Sequence, residues 1–126
     1  MSDTVLLTLL FFGHYLGDYT PLATTNMHVA KATGYPLWPI ARHAGVHAIL
    51  VLVILLVASV SVELALQLAA FEIVTHFIID VAKGRITAQY ARLQDNTGYP
   101  HWMLFGLDQW LHAVVLIWIF SWVHGV

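Results

Sequence analysis

Histidine and aspartate residues stand four positions apart at four places in this chain. The pairs are His14/Asp18, His43/His47, His76/Asp80 and Asp108/His112. Residues four apart share one face of an α-helix, so each pair would aim two ligand-type side chains in one direction. Random placement of the same residues would give roughly 1.3 such pairs, so four pairs are an excess. All eight lie in or beside apolar stretches, and the pattern predicts helices that together form the walls of one metal site.

The composition indicates a membrane as the environment of this single domain of 126 residues. Hydrophobic residues make up 60% of the chain and charged residues only 10%, against about 25% charged in a soluble domain. The absence of cysteine excludes disulfides and thiolate metal ligands. The net charge of -2 says nothing about nucleic acid, but the chain has no basic run, and no nucleic-acid partner is expected.

Four apolar segments predict an all-α fold, a four-helix transmembrane bundle. The expected spans are residues 4–19, 39–59, 62–83 and 101–123. The first is short for a hydrocarbon core of about 30 Å. No Lys or Arg precedes it, so we expect a retained span rather than a cleaved signal peptide. Residues 20–38 and 84–100 are predicted polar connections, the second containing part of an interfacial helix.

The basic residues predict the orientation of the bundle. All five flank the first or the third connection: Lys31, Arg42, Lys83, Arg85 and Arg92. The positive-inside rule then places both long connections in the cytoplasm and both termini outside, as in a protein of the bacterial cytoplasmic membrane. Because alternate helices run in opposite directions, all four His/Asp pairs fall at the cytoplasmic end.

Within that end the pairs predict two tiers of ligands, separated by about 6 Å at 1.5 Å per residue. The deep tier is His14, His47, His76 and His112, and the shallow tier is Asp18, His43, Asp80 and Asp108. We expect two divalent ions here, zinc first, with iron or manganese as alternatives, since nitrogen and oxygen ligands suit all three. The open alternative is a polar network without metal, in which the same groups hydrogen-bond to one another or relay protons.

Three further polar residues lie beside these pairs. Glu72, one turn before His76, could fix that imidazole, act as a catalytic base, or be a protonated core residue. His101, two turns before Asp108, could be a general acid or a solvated residue at a helix end. Gln109 could donate a hydrogen bond to the site or, more simply, face lipid.

Two cations at the mouth of the site suggest an anionic ligand. Arg42 directly precedes His43, and Lys83 follows Asp80 by three residues. Both could hold a phosphate or a lipid headgroup. Ordinary anchoring by side chains that snorkel to the interface is an equally good explanation.

The order of the motifs resembles a family of small bacterial and phage membrane proteins of unknown function. The segments that carry the resemblance are HYLGDY (14–19), RHAGVH (42–47), HFIIDVAK (76–83) and LDQWLH (107–112), of which DQxxH is the most specific. A glutamine expected after the first motif is absent, since Tyr19-Thr20-Pro21-Leu22 stands there. The family implies no activity. Its four-span, His/Asp-rich style is distantly similar to proposed membrane-bound metal-dependent hydrolases.

These observations favour a metal-dependent hydrolase that acts at the cytoplasmic leaflet on an anionic or lipid-linked substrate, with membrane lipid as its partner. A non-enzymatic metal-binding subunit of a larger membrane complex is the alternative, because a chain this short leaves little room for a substrate pocket. Metal transport is a third hypothesis, although a closed site of eight ligands would hold its ions too tightly to release them.

Overall fold

The computed structural model describes residues 1–125, and over that range the chain is all-helical. Its helices are α1 (Asp3–Tyr19), α2 (Thr25–Thr33), α3 (Leu37–Val57), α4 (Val62–Gln89), α5 (Ala91–Gln94) and α6 (Tyr99–His124). No strand occurs among the described residues. The predicted all-α class is therefore confirmed.

Three of the described helices, α3, α4 and α6, are long and apolar enough to cross a membrane. Their outward surfaces carry large exposed apolar side chains, including Trp38, Trp110, Trp118 and Trp122. Helix α1 has 17 residues, and at 1.5 Å per residue it is about 26 Å long. It is thus shorter than the hydrocarbon core of about 30 Å.

The helix ends follow from local sequence signals. The hydroxyl groups of Ser2, Thr24 and Ser61 each accept a hydrogen bond from the backbone N–H three residues later, which caps α1, α2 and α4. Pro100 lies in the first turn of α6, where its missing N–H has no helical partner to lose. Only residues 58–61 separate α3 from α4, and a connection this short makes them antiparallel neighbours.

The four long helices enclose an interior with two different ends. Helices α1 and α4 each pack against both α3 and α6. One end, which we call the apolar end, is filled by Leu6, Leu10, Val51, Leu55, Ala65, Leu68, Leu116 and Ile119. The other, the polar end, contains the buried side chains of Asp18, His43, His47, Glu72, His76, Asp80, Asp108 and His112.

Helix α2 lies inside the segment predicted to be a polar connection, and it closes the polar end. It packs on α3 and α4 through the buried side chains of Met27 and Ala30. A Cβ atom at Gly84 of α4 would overlap the backbone of Lys31 and Gly34, so a glycine at this position lets α2 approach closely. Helix α4 itself continues to Gln89, beyond the predicted end of the span at residue 83.

Candidate metal centre

The four histidines assigned to the deep tier form a closed ring in the interior. Their ring centroids are 5.0 Å apart for His14–His47, 3.8 Å for His47–His76, 4.2 Å for His76–His112 and 5.1 Å for His112–His14. Each histidine comes from a different helix, so all four long helices contribute one imidazole. Side chains that are far apart in the sequence therefore meet at one depth.

Asp18 is the centre of one compact group of ligand atoms. Its Oδ1 atom lies 2.8 Å from Nε2 of His43 and 3.4 Å from Nε2 of His47. With His76, these residues each offer one ligand atom, and the four atoms lie within 4.8 Å of one another. All four residues are buried, so three helices converge on a site shielded from solvent.

Asp80 is the centre of a second group. Its Oδ2 atom lies 3.5 Å from Nε2 of His76, and its Oδ1 atom lies 3.8 Å from Nε2 of His112. Ligand atoms of these three buried residues also lie within 4.8 Å of one another. His76 therefore belongs to both groups and joins them.

Hydrogen bonds on the far side of two imidazoles direct their Nε2 atoms toward the groups. Nδ1 of His76 donates to Oε1 of Glu72 over 3.1 Å, and Nδ1 of His112 donates to the backbone oxygen of Asp108 over 2.8 Å. Metal-bound histidines commonly use the second ring nitrogen in this way, because it fixes the tautomer and the ring orientation. The expected contact between Glu72 and His76 is present.

The polar end contains many buried polar atoms without a hydrogen-bond partner. They include Nε2 of His47, His76 and His112, Oδ2 of Asp80, Oδ1 of Asp108 and Nδ1 of His14 and His43. Each such atom costs about 1–3 kcal/mol if it stays unpaired. Of these atoms, Nε2 of His47, His76 and His112 and Oδ2 of Asp80 belong to residues of the two compact groups, and a divalent ion would satisfy them.

The spacing of these atoms also fits a metal ion. Ligands at about 2.0–2.1 Å from a tetrahedral zinc are roughly 3.3 Å from one another. The distances from His47 to Asp18 (3.4 Å) and from His76 to Asp80 (3.5 Å) are close to that value. The separations of 2.8 Å from His43 to Asp18 and 3.8 Å from His112 to Asp80 depart from it. In ligand chemistry the buried His and Asp side chains could hold a divalent ion such as zinc, iron or manganese.

Lys31 is a charged member of the site that sequence reasoning missed. Its Nζ atom lies 2.9 Å from Oδ1 of Asp80 and 3.3 Å from Oδ1 of Asp18. Burial disfavours the ammonium ion, but the charges of Asp80 and Asp18 outweigh this effect and raise the pKa of Lys31 above its ordinary value. A sequence signal existed, because Met27, Ala30 and Lys31 share one face of a helix.

Gln109 also faces the site rather than lipid. Its Nε2 atom donates to Oδ2 of Asp18 over 3.3 Å and to Oδ2 of Asp108 over 3.1 Å. Its Oε1 atom lies 3.3 Å from Nε2 of His14. His14 and Asp108 are outside both compact groups, and Gln109 links them to Asp18.

His101 lies apart from the two ligand groups. Its Nδ1 atom donates to the backbone oxygen of Leu93 over 2.8 Å, which ties α6 to the segment around α5. Its ring packs on Trp102. None of these contacts reaches the metal-ligand candidates, so its assignment as a general acid stays a prediction without a geometric link to the site.

Arg42 and Lys83, which we expected to hold one anion, border two different cavities. Lys83 borders a cavity of about 200 Å³ together with Asp18, Lys31, Asp108 and Gln109. Arg42 borders a cavity of about 230 Å³ on the other side of α2, next to His43. The structure therefore brings Lys83, but not Arg42, to the cavity that leads to Asp18 and Asp108.

Comparison with known proteins identifies a family but no activity. The family described as "Protein of unknown function (DUF3307)" matches residues 6–126. No curated protein and no solved structure matches the chain. The match agrees with the expected likeness to an uncharacterised family. The family's motif pattern and the distant likeness to hydrolases stay predictions.

Proposed function

We propose that this chain, which belongs to the DUF3307 family of unknown function, is an integral membrane metalloprotein that hydrolyses an anionic phosphoester substrate. The metal would be held by side chains of Asp18, His43, His47, His76, Asp80 and His112. One observation carries the metal-binding part: buried ligand residues from all four long helices converge in two groups, and Nε2 of His47, His76 and His112 and Oδ2 of Asp80 among them have no hydrogen-bond partner. A network without metal would leave those atoms unsatisfied at a cost of several kcal/mol.

In this proposal α1 is the fourth membrane-crossing helix, and the protein is a four-helix transmembrane bundle. Its short length is compatible with local thinning of the bilayer. All five Lys and Arg residues lie between residues 31 and 92, in or beside the segments that flank the polar end. The positive-inside rule therefore supports a cytoplasmic position for the polar end.

Cysteine labelling tests this orientation, because the chain has no cysteine of its own. We expect a membrane-impermeant maleimide to label Val62→Cys in intact cells and Asn96→Cys only after the cells are permeabilised. Both positions are exposed: Val62 is the first residue of α4, and Asn96 lies in the connection between α5 and α6. The reverse labelling pattern would place the site on the outer face.

The cavity beside the metal-ligand candidates supports catalysis. It is bordered by Asp18, Asp108, Lys31 and Lys83. An anionic substrate could enter it, and the lysines would attract a phosphate group. A bound divalent ion would supply the Lewis acidity that polarises a phosphoester and activates water.

Asp108 is the residue that we assign to proton transfer in this reaction. It borders the cavity, and its Oδ1 atom has no hydrogen-bond partner. Hydrolysis joins a water oxygen to phosphorus, breaks the ester P–O bond and transfers a proton from water to the leaving alcohol. Asp108 would accept that proton and return it, while Glu72 keeps His76 in position.

Elemental analysis of the purified protein tests the metal. After exposure to zinc, iron or manganese salts and desalting, we expect at least one ion per chain in the wild type. The double variant Asp18→Ala, His47→Ala should fall to background. The matched control is Asp3→Ala, His124→Ala, which removes another contacting Asp/His pair, 3.0 Å apart and exposed. Background metal in the folded wild type would contradict the proposal.

Hydrolysis is tested with p-nitrophenyl phosphate and with proteoliposomes that contain phosphatidylglycerol. We expect metal-dependent product release that is lost in Asp108→Asn while the metal content is kept. A protein that retains metal but hydrolyses neither substrate would favour the alternative, a non-enzymatic metal-binding subunit of a larger membrane complex. The complete burial of His76 and Asp80 is the observation on the side of that alternative.

A further inference from the structure

We infer that the ammonium group of Lys31 takes the place of a second divalent ion, so that the polar end binds one metal ion per chain. This inference rests on the proposed metal-binding function and replaces the two ions expected from the sequence. Three observations support it: the two ligand groups share His76, Lys31 contacts an aspartate of each group, and α2 packs closely on α4.

The two ligand groups share one residue. His76 belongs to both, and because its Nδ1 atom is already bound to Glu72, only Nε2 is left for a metal ion. A neutral imidazole nitrogen has one lone pair and can bind one metal ion. If an ion used His76 with Asp18, the group around Asp80 would keep only Asp80 and His112.

Lys31 lies between the two groups and neutralises one carboxylate of each. Its Nζ atom contacts Asp80 at 2.9 Å and Asp18 at 3.3 Å. The exposed fraction of the Lys31 side chain is only 12%, and that of Asp80 is zero. A buried ammonium ion this close to both carboxylates would repel a divalent ion placed beside it.

The formal charges do not require a second divalent ion. The buried carboxyl groups of Asp18, Glu72, Asp80 and Asp108 bring four negative charges to the polar end, and Lys31 brings one positive charge, which leaves a formal charge of -3. One divalent ion would bring this charge to -1, and two would bring it to +1. Lys31 thus supplies part of the positive charge that a second ion would otherwise have to bring.

The close contact between α2 and α4 fixes Lys31 in this position. Gly84 touches the backbone at Lys31 and Gly34, and a Cβ atom there would overlap both. Lys31 is also in the last turn of α2, so its side chain extends from a helix packed directly on the helix that carries Asp80. The lysine is therefore a positioned component of the site rather than a mobile surface residue.

Zinc titration of metal-free protein in detergent, followed by gel filtration and elemental analysis, tests the inference. We expect one zinc ion per chain in the wild type and in Lys31→Arg, which keeps the charge. Lys31→Met removes the charge and should raise the ratio toward two. Lys83→Met, which removes the other lysine that borders the same cavity, should stay at one.

A second pair of variants does not depend on the folding of Lys31→Met. Gly84→Ala should push α2 away and raise the zinc ratio above one. Gly106→Ala, where a Cβ atom would meet nothing within 4 Å, should leave the ratio at one. Two zinc ions per chain in the wild type, or an unchanged zinc ratio in both Lys31→Met and Gly84→Ala, would overturn this inference but not the proposed function. No bound zinc in the folded wild type would overturn the proposed function as well.

Discussion

The apolar end and the polar end of the same interior are built by the same four helices, yet they satisfy their side chains in opposite ways. At the apolar end, Leu10, Leu55 and Ile119 are completely buried and need only one another. At the polar end, His76 and Asp80 are equally buried but keep unpaired ligand atoms. Protein atoms alone satisfy the side chains of the apolar end, whereas the unpaired ligand atoms of the polar end could bind a cation.

This difference separates stability from function within one short chain. Apolar side chains such as Leu55 gain contacts from dense packing and lose them when a cavity is made. Buried imidazoles and carboxylates are costly unless they are paired or bind a metal. Variants at the apolar end should therefore change the free energy of unfolding, and variants at the polar end should change zinc affinity.

The largest effect is expected at the shared ligand. His76→Ala removes the one imidazole common to both groups, so its loss of zinc affinity should exceed the about 10–100-fold that residues outside the first coordination shell cost. Equilibrium dialysis against buffered zinc measures the affinity, and His124→Ala, at an exposed histidine, is the control. If His76→Ala binds zinc with wild-type affinity, the two groups that share His76 are not the zinc site.

At the apolar end, Leu55→Ala should lower the free energy of unfolding by about 2–5 kcal/mol, because it leaves a cavity in a completely buried position. Its zinc content should equal that of the wild type. Thermal unfolding in detergent, run beside elemental analysis, provides both readouts. Loss of metal in a folded Leu55→Ala protein would show that the two ends are not independent.

A smaller effect is expected from Glu72→Gln at the polar end. The amide cannot replace the carboxylate as an acceptor of equal strength for Nδ1–H of His76, so zinc affinity should fall about 10–100-fold. Glu63→Gln, an exposed glutamate on the same helix, should bind zinc normally. Equal zinc affinities in both variants would show that Glu72 contributes packing and does not orient His76 for zinc.

The smallest effect is expected from Gly17→Ala. A Cβ atom there would overlap the ring of His47, so the imidazole must turn and zinc affinity should fall by about tenfold, or roughly 1.4 kcal/mol. Gly106→Ala, with open space around its Cα atom, is the matched control. If the two variants bind zinc alike, His47 is not required in its observed position.

Much of the polar end could be predicted from spacing alone. The four His/Asp pairs recur at a helical interval inside apolar segments, and burial of polar groups forces such side chains toward one another. The all-α class followed from the same apolar segments. The interval also placed Glu72 one turn from His76, where the structure shows the hydrogen bond.

Lys31 was missed, and the direction of Gln109 was left open, because both depend on tertiary contacts. Helix α2 has nine residues, so the helix face shared by Met27, Ala30 and Lys31 is only a weak sequence signal, and the packing of α2 against Gly84 shows that Lys31 enters the site. Gln109 is next to Asp108 in sequence, and its direction depends on how α6 meets α1. Likewise, no spacing rule could predict that Arg42 and Lys83 border different cavities, because residues of α2 line both cavities and lie between them.

X-ray absorption at the zinc edge of the loaded wild-type protein tests most directly whether the polar end is a metal centre. We expect nitrogen and oxygen ligands at about 2.0–2.1 Å, with the outer-shell scattering of at least two imidazoles, and loss of that scattering in Asp18→Ala, His47→Ala. A spectrum with an oxygen-only shell and no imidazole scattering would contradict the assignment, because zinc would then be bound elsewhere on the protein.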